Sequence, residues 1–269
     1  MRDAADPGAL AGLPPIIDTH AHLFLMDAPP AAVVARAVED GIAQLVCAAI
    51  DPETTDASIV IAEAHPEVFA TSGMHPHTAS TLDEEAKRAI ADRAGRPNVV
   101  AIGETGLDFF RMHSPRGDQL ASFRWHVGLS NETGKPVIVH VRDAWEDVLR
   151  VLAEERAERV VIHCFSGGVG EARECAARGY RLSFAANVTY PKNAGLRKAA
   201  AAAPRGSIVV ETDSPFLPPE GSRGKENVPG NARVALRALA EARGEDPVAL
   251  AGAVAANARA VFGLPVDAA

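Results

Sequence analysis

The chain has 269 residues, 47% of them hydrophobic and 23% charged, which suits a folded globular protein and excludes a disordered or low-complexity one. A formal net charge of −8 excludes a broad basic surface gripping duplex nucleic acid, although bound cations and a few local Arg and Lys residues could still meet a phosphate. The three cysteines, Cys47, Cys164 and Cys175, have no CxxC spacing. They exclude a disulfide framework or zinc knuckle and fit reduced thiols in a cytoplasmic protein.

From the N-terminus, Met1 to Pro15 is mixed and polar, with no apolar stretch behind a basic start, so no signal peptide is expected. No uncharged run approaches the ~18 residues of a membrane span. Beyond this point short apolar runs alternate with helical patterns. The runs are Ile16–Leu23, Gln44–Ile50, Phe69–Met74, Asn98–Glu104, Pro136–Val141, Arg159–Phe165, Arg181–Ala185 and Ser207–Glu211. Their continuous apolar character is that of strands buried on both faces of a parallel sheet. Between them, helices are predicted at Pro30–Asp40, stopped by Gly41, then Thr54–His65, Asp83–Ala94 and Asp118–Thr133, stopped by Gly134. Ala144–Glu155, Val169–Arg178 and Lys192–Ala202 continue the alternation, and Asn231–Arg243 and Pro247–Phe262 follow the last strand. Eight β/α units predict a closed (β/α)8 TIM barrel, as one domain over residues 1–269 with an N-terminal extension at 1–14. The doubly wound alternative usually carries a Gly-rich turn after its first strand, where this chain has Asp18-Thr19-His20-Ala21-His22.

Barrel enzymes place their chemistry at the C-terminal strand ends. Here the first strand ends in His20 and His22, two residues apart and so on one side of an extended chain. The fourth ends in Glu104, the fifth in His140, the sixth in His163 and the eighth in Asp213. Singly, each has a bland explanation: a satisfied core histidine, a turn cap, an N-cap before Ser214-Pro215. Jointly, they would repel or desolvate one another unless a cation compensated them. The donor set suits Zn²⁺, Mn²⁺ or a similar ion, and a bridging carboxylate suits two of them. Around the same mouth, His75 is the candidate pocket-lining residue of the His75/His77 pair. Arg142, Ser166 at a Gly-rich helix start, and Arg223 are candidate phosphate contacts. Arg142 could equally pair with Asp143 or Asp147. Asp108 could orient the Glu104 loop or cap a turn, and Cys164 is expected to point away from the site as packing.

The order of these ligands resembles the amidohydrolase-type barrels, many of which use a carboxylated lysine after strand four; here Glu104 stands there and no lysine lies in 98–111. The segments IIDTHAHL (16–23), GMHPH (73–77), AIGETGLDFF (101–110), PVIVHVRDA (136–144), HCFSG (163–167) and ETDSPFL (211–217) are similar to those of the TatD family of metal-dependent deoxyribonucleases, from Ile16 to about Phe262. Asn227-Val228-Pro229 also resembles the family's segment after strand eight, while 222–227 only approximates it. The resemblance implies a cytoplasmic barrel hydrolysing phosphodiesters, often as a 3′→5′ exonuclease on DNA, with two divalent metal ions (Mg²⁺, Mn²⁺ or Zn²⁺). It implies that His20, His22, Glu104 and Asp213 hold one ion and that Glu104, His140 and His163 hold the other. Asp213 and Glu104 are the expected catalytic residues, and Asp213 is the candidate base. The expected partner is DNA, as single-stranded ends, with no membrane, no obligate protein partner and a monomeric chain. Two other readings are open: a different hydrolase on the same barrel, acting on an ester, lactone, amide, phosphotriester or aminoacyl-tRNA ester, and a non-catalytic metal-dependent binding protein.

Overall fold

The computed structural model describes residues 12–266, so most of the expected extension at 1–14 lies outside the described residues. Each apolar run predicted above overlaps a strand, and four of the strands extend beyond their run: β1 (Ile16–Ala21), β2 (Ile42–Cys47), β3 (Val68–Ser72), β4 (Val99–Asp108), β5 (Val137–Arg142), β6 (Val160–Ile162), β7 (Arg181–Phe184) and β8 (Ile208–Val210). They hydrogen-bond in sequence order, every pair parallel, as one eight-stranded sheet. The sheet closes at its C-terminal end, where Ala21 pairs with Ser214 beyond β8. There the His22 N–H donates to the Ser214 carbonyl (2.7 Å) and the Asp213 N–H to the His20 carbonyl (2.9 Å).

The helices are α1 (Pro30–Glu39), α2 (Pro52–Ala64), α3 (Glu84–Ala94), α4 (Arg116–Thr133), α5 (Trp145–Glu154), α6 (Val169–Ala177), α7 (Ala194–Ala202), α8 (Ala232–Arg243) and α9 (Pro247–Phe262). Local chemistry sets their ends. Asp51 caps α2 by accepting from the Thr54 N–H, while the Thr54 hydroxyl accepts from the Asp51 N–H, and Pro52 suits the first turn. Gly134 ends α4 in the left-handed conformation. The α2 prediction starts two residues late because Asp51-Pro52 is the cap and first turn rather than a preceding loop.

Strand residues divide between two packing layers. One set, including Ile16, Val99, Val137, Val139, Ile162, Leu182 and Phe184, packs against the helices. The other, including Ile17, Val46, Ile138, Val161 and Val209, packs with Val261, Phe262 and Leu264 at the end of α9. Two residues further along three of these strands or their continuations come His140, His163 and Glu211. Period-2 alternation thus places polar groups above an apolar plug.

His126 of α4 ties a helix to the loop after β3. Its Nε2 accepts from the Met74 N–H (3.0 Å) and its Nδ1 donates to the Ser122 carbonyl (2.7 Å). Burial lowers its pKa from 6.5 to about 4. The folded imidazole therefore resists a proton that the unfolded chain accepts, and stability is lost as pH falls from 6.5 toward 4. Urea unfolding of wild type between pH 7 and pH 4.5 should show about 2–3 kcal/mol of loss that His126→Gln does not share. Parallel pH profiles for the two proteins would refute this role.

Candidate metal centre

The mouth side chains arrive by two routes. His140 and His163 follow the alternation of β5 and β6. His20 and Glu104 depend on irregularities: from Asp18 to Ala21 β1 takes three steps against two on β2, and from Ile102 to Thr105 β4 takes three against two on β5. Each is one extra residue, a β-bulge that re-aims the side chains around it. Next to the second bulge Gly106 (φ +135°) pairs with His140, and a Cβ there would lie 2.1 Å from the His140 carbonyl oxygen. Only glycine permits β4 and β5 to approach so closely at this level.

Glu104 is the hub. Its side chain is 3% exposed; Oε2 lies 3.3 Å from His20 Nε2 and 3.8 Å from His22 Nε2. Oε1 lies 2.9 Å from His140 Nδ1, 3.5 Å from His75 Nε2 and 3.7 Å from His163 Nε2. Asp213 Oδ1 completes the set at 3.4 Å from His22 Nε2, 3.8 Å from His163 Nε2 and 4.0 Å from His20 Nε2. All six predicted ligands therefore converge. His163 stands between the two expected groups, stacked on His20 at 3.6 Å between ring centroids. His75, expected only to line the pocket, joins Glu104 and His140 in a three-donor group.

Further side chains aim these. The Ala48 carbonyl accepts from His22 Nδ1 (2.7 Å), turning Nε2 to the centre. Glu211 Oε1 accepts from the Cys164 N–H and lies 2.9 Å from His163 Nδ1, an ion-pair distance off the hydrogen-bond direction. Asp18 accepts from the Thr212 N–H (2.9 Å) and hydroxyl (2.6 Å), joining β1 to the segment carrying Asp213, and burial pushes its carboxyl up to about 8. Asn227 Nδ2 donates to the Thr212 and Phe216 carbonyls, holding the same segment from the other side. Asp108 caps the turn that follows it, and its other oxygen faces two histidines. Oδ1 accepts from the Phe110 and Arg111 N–H groups, and Oδ2 lies 2.8 Å from His77 Nε2 and 3.5 Å from His140 Nε2. Asp18 and Glu211 were missed as site residues. Each stands two positions before a predicted ligand, and that spacing was the available signal. Cys164 departs from expectation: its thiol groups with His163 and Glu211 instead of pointing away. It is pushed up by burial and by Asp213, Glu211 and Glu104.

Burial by itself would raise the Glu104 carboxyl, but His75, His163, His20 and the His140 hydrogen bond hold it well below the usual range. Burial likewise opposes charge on His163, yet Glu211 and Glu104 carry it up to about 10. His20, hemmed in by burial and His163, is lowered instead, and its Nδ1 has no hydrogen-bond partner. The donor set fits metal ions on its own chemistry. Nitrogen and oxygen donors at 3.3–4.0 Å match the roughly 3.4 Å edge of a tetrahedron with bonds of about 2.1 Å. Glu104 presents one oxygen to each of two groups.

Of the other predicted substrate contacts, Arg142 ends β5, while Ser166 and Arg223 lie in the segments after β6 and β8. Half-buried Arg142 forms no ion pair among the described residues; Asp147 is paired with Arg116 and Arg150. Its guanidinium lies 4.1 Å from the Phe110 ring centroid, and that of Arg223 lies 5.0 Å from Tyr190. Ser166 is exposed, and the Gly168 N–H at the start of α6 is already engaged by Glu171 (2.9 Å), which weakens that helix end as an anion site.

A parallel eight-stranded barrel whose C-terminal mouth gathers histidines around buried carboxylates is the architecture of the metal-dependent hydrolases. A family model described as "TatD related DNase" matches residues 17–263. The "Uncharacterized metal-dependent hydrolase YabD" of Bacillus subtilis is 34% identical, over 92% of this chain and 98% of its own. The "3'-5' ssDNA/RNA exonuclease TatD" of Enterobacter lignolyticus is 33% identical, over 87% and 92%. The crystal structure of YJJV, a TatD homolog from Escherichia coli, superposes with a TM-score of 0.87 at 28% identity, over 93% and 98% of the two chains. The chain belongs to the TatD family of metal-dependent hydrolases.

Ligand binding to the folded state raises stability by mass action. Adding Mn²⁺ or Zn²⁺ to metal-stripped protein at about a hundredfold over Kd should raise Tm by about 5–10 °C. Glu104→Ala should remove most of that rise, and an undiminished rise in this variant would show that the ions bind elsewhere.

Proposed function

We propose that the chain hydrolyses phosphodiester bonds in nucleic acid, as a 3′→5′ exonuclease acting on single-stranded DNA ends. The observation that carries this reading is Glu104 standing between two groups of metal donors at an open barrel mouth. The name of the Enterobacter lignolyticus relative, an exonuclease on single-stranded DNA and RNA, supports the substrate class. We assign His20, His22, Glu104 and Asp213 to one divalent ion and Glu104, His140 and His163 to a second, with His75 adjacent to the latter. When bound, such ions lower the pKa of a water and neutralise charge on phosphoryl oxygens.

The chain's own residues then have distinct tasks. Asp213 is 14% exposed, against 3% for Glu104 and 1% for Glu211 and Asp108, so it is the carboxylate of the cluster nearest solvent. Burial raises the Asp213 carboxyl, but His22, His163 and His20 outweigh that and lower it, leaving it ionised and able to orient and deprotonate the attacking water. Glu104 holds the two donor groups in register. Arg142 and Arg223 offer guanidinium groups to flanking phosphates. A cytoplasmic location fits three unpaired cysteines, and the proposed working unit is the monomer. No helix among the described residues is long and apolar enough to cross a membrane.

The direct test is digestion of 3′- and 5′-labelled single-stranded DNA by metal-stripped protein with Mg²⁺, Mn²⁺ or Zn²⁺ restored. Cleavage should shorten strands from the 3′ end, stop in EDTA and be absent in Glu104→Ala. Asp213→Asn should lower kcat roughly 10²–10⁴-fold; full kcat with normal metal binding would remove Asp213 as the base. Metal-loaded protein that cuts no phosphodiester would redirect the assignment to ester and amide substrates.

A further inference from the structure

An exposed aromatic ring beside a site offers a large apolar face that an arriving ligand can cover. Among the described residues the exposed phenylalanines are Phe110, 62% exposed, and Phe216, 51% exposed, and both stand on loops at the C-terminal mouth. They sit beside different ends of the metal cluster. Phe216 lies edge-on to His22, 5.9 Å between ring centroids. Phe110 lies at the His140 end: its N–H donates to Asp108, whose other oxygen is 3.5 Å from His140 Nε2. The backbone holds both rings in place, Phe216 through its N–H to the Asp213 carbonyl and its carbonyl to Asn227.

We propose that Phe110 and Phe216 are base-stacking platforms that receive nucleobases on either side of the scissile phosphate of a single strand. The proposal rests on the nuclease reading and specifies how that site grips its substrate. Two observations favour nucleic acid as the occupant. Each region pairs a ring with a guanidinium free of any carboxylate among the described residues: Arg142 lies over Phe110, and Arg223 lies over Tyr190, whose hydroxyl donates to the Pro218 carbonyl in the Phe216 loop. A cation close to aromatic rings suits a strand, which offers both a base and a phosphate at each nucleotide. Second, a chain of net charge −8 cannot rely on a broad basic surface, so affinity beyond what bound ions supply has to come from a few cations and from stacking, which accepts any base. A duplex would keep its bases stacked on each other and gain nothing from these rings.

The test is fluorescence anisotropy with a labelled octathymidylate and an octamer of abasic units of the same length. It uses the full chain carrying Asp213→Asn, with Mn²⁺ present, and salt varied. The base-bearing strand should bind more tightly. Phe110→Ala and Phe216→Ala should each weaken its binding roughly 5- to 100-fold and bring the two affinities together. Phe→Trp at either site should restore the preference, which a merely structural role would not predict. Equal binding of the two strands by the parent, or an undiminished preference in both alanine variants, would overturn the proposal. Cleavage by the wild-type chain is scored separately. Base-dependent binding that needs the rings, without any cleavage, keeps the platforms and refutes the nuclease; cleavage with a preference indifferent to both rings does the reverse.

Discussion

Burying an ionised carboxylate costs several kcal/mol unless opposite charge and hydrogen bonds repay it. Glu104, held near the centre of the barrel mouth, brings this cost into the middle of the fold. Its two oxygens are faced by five histidines, contributed by β1 and its extension, the loop after β3, β5, and the residue after β6. Each of those imidazoles would itself be costly to bury in charged form. The carboxylate and the imidazoles therefore stabilise one another only as a set, and the set exists only when the strands bring it together. This mutual dependence ties the chemistry of the mouth to closure of the sheet.

Closure and site construction share the same atoms. β8 ends at Val210, yet Asp213 lies beyond it with φ of +58°, held by its N–H to the His20 carbonyl. The Asp18 carboxylate fastens Thr212, and Asn227 fastens the carbonyls of Thr212 and Phe216. The seam between first and last strands is thus also the scaffold of the most exposed carboxylate in the cluster and of one exposed ring. A substitution that loosens the seam would be expected to displace Asp213 before it unfolds the barrel.

The outer part of the mouth follows a different logic from the centre. Near Glu104 carboxylate oxygens and imidazole nitrogens face one another, although His20 Nδ1, Thr105 Oγ1 and Glu211 Oε2 have no hydrogen-bond partner. On the rim Arg142 and Arg223 have rings beside them instead of acids, and two phenylalanines stand in solvent. Groups left incompletely partnered at the edge of a site are those able to engage something that arrives from solution.

Much of this was legible in the chain. The apolar runs identified all eight strands because a strand buried on both faces has to be apolar throughout, and their alternation with helical patterns leaves few architectures besides a closed barrel. His20, His22, Glu104, His140, His163 and Asp213 stood out because each comes at or just past an apolar run, where the barrel mouth must be. Strand ends were less legible: β6 and β8 are only three residues long, and His163 and Asp213 lie beyond them. The bulges on β1 and β4, the entry of His75 beside Glu104, the aiming of His163 by Glu211 and the pairing of Arg142 with Phe110 needed the tertiary structure. Periodicity along one strand determines which face a residue occupies, whereas register between strands and the approach of distant loops arise from packing that no local pattern encodes.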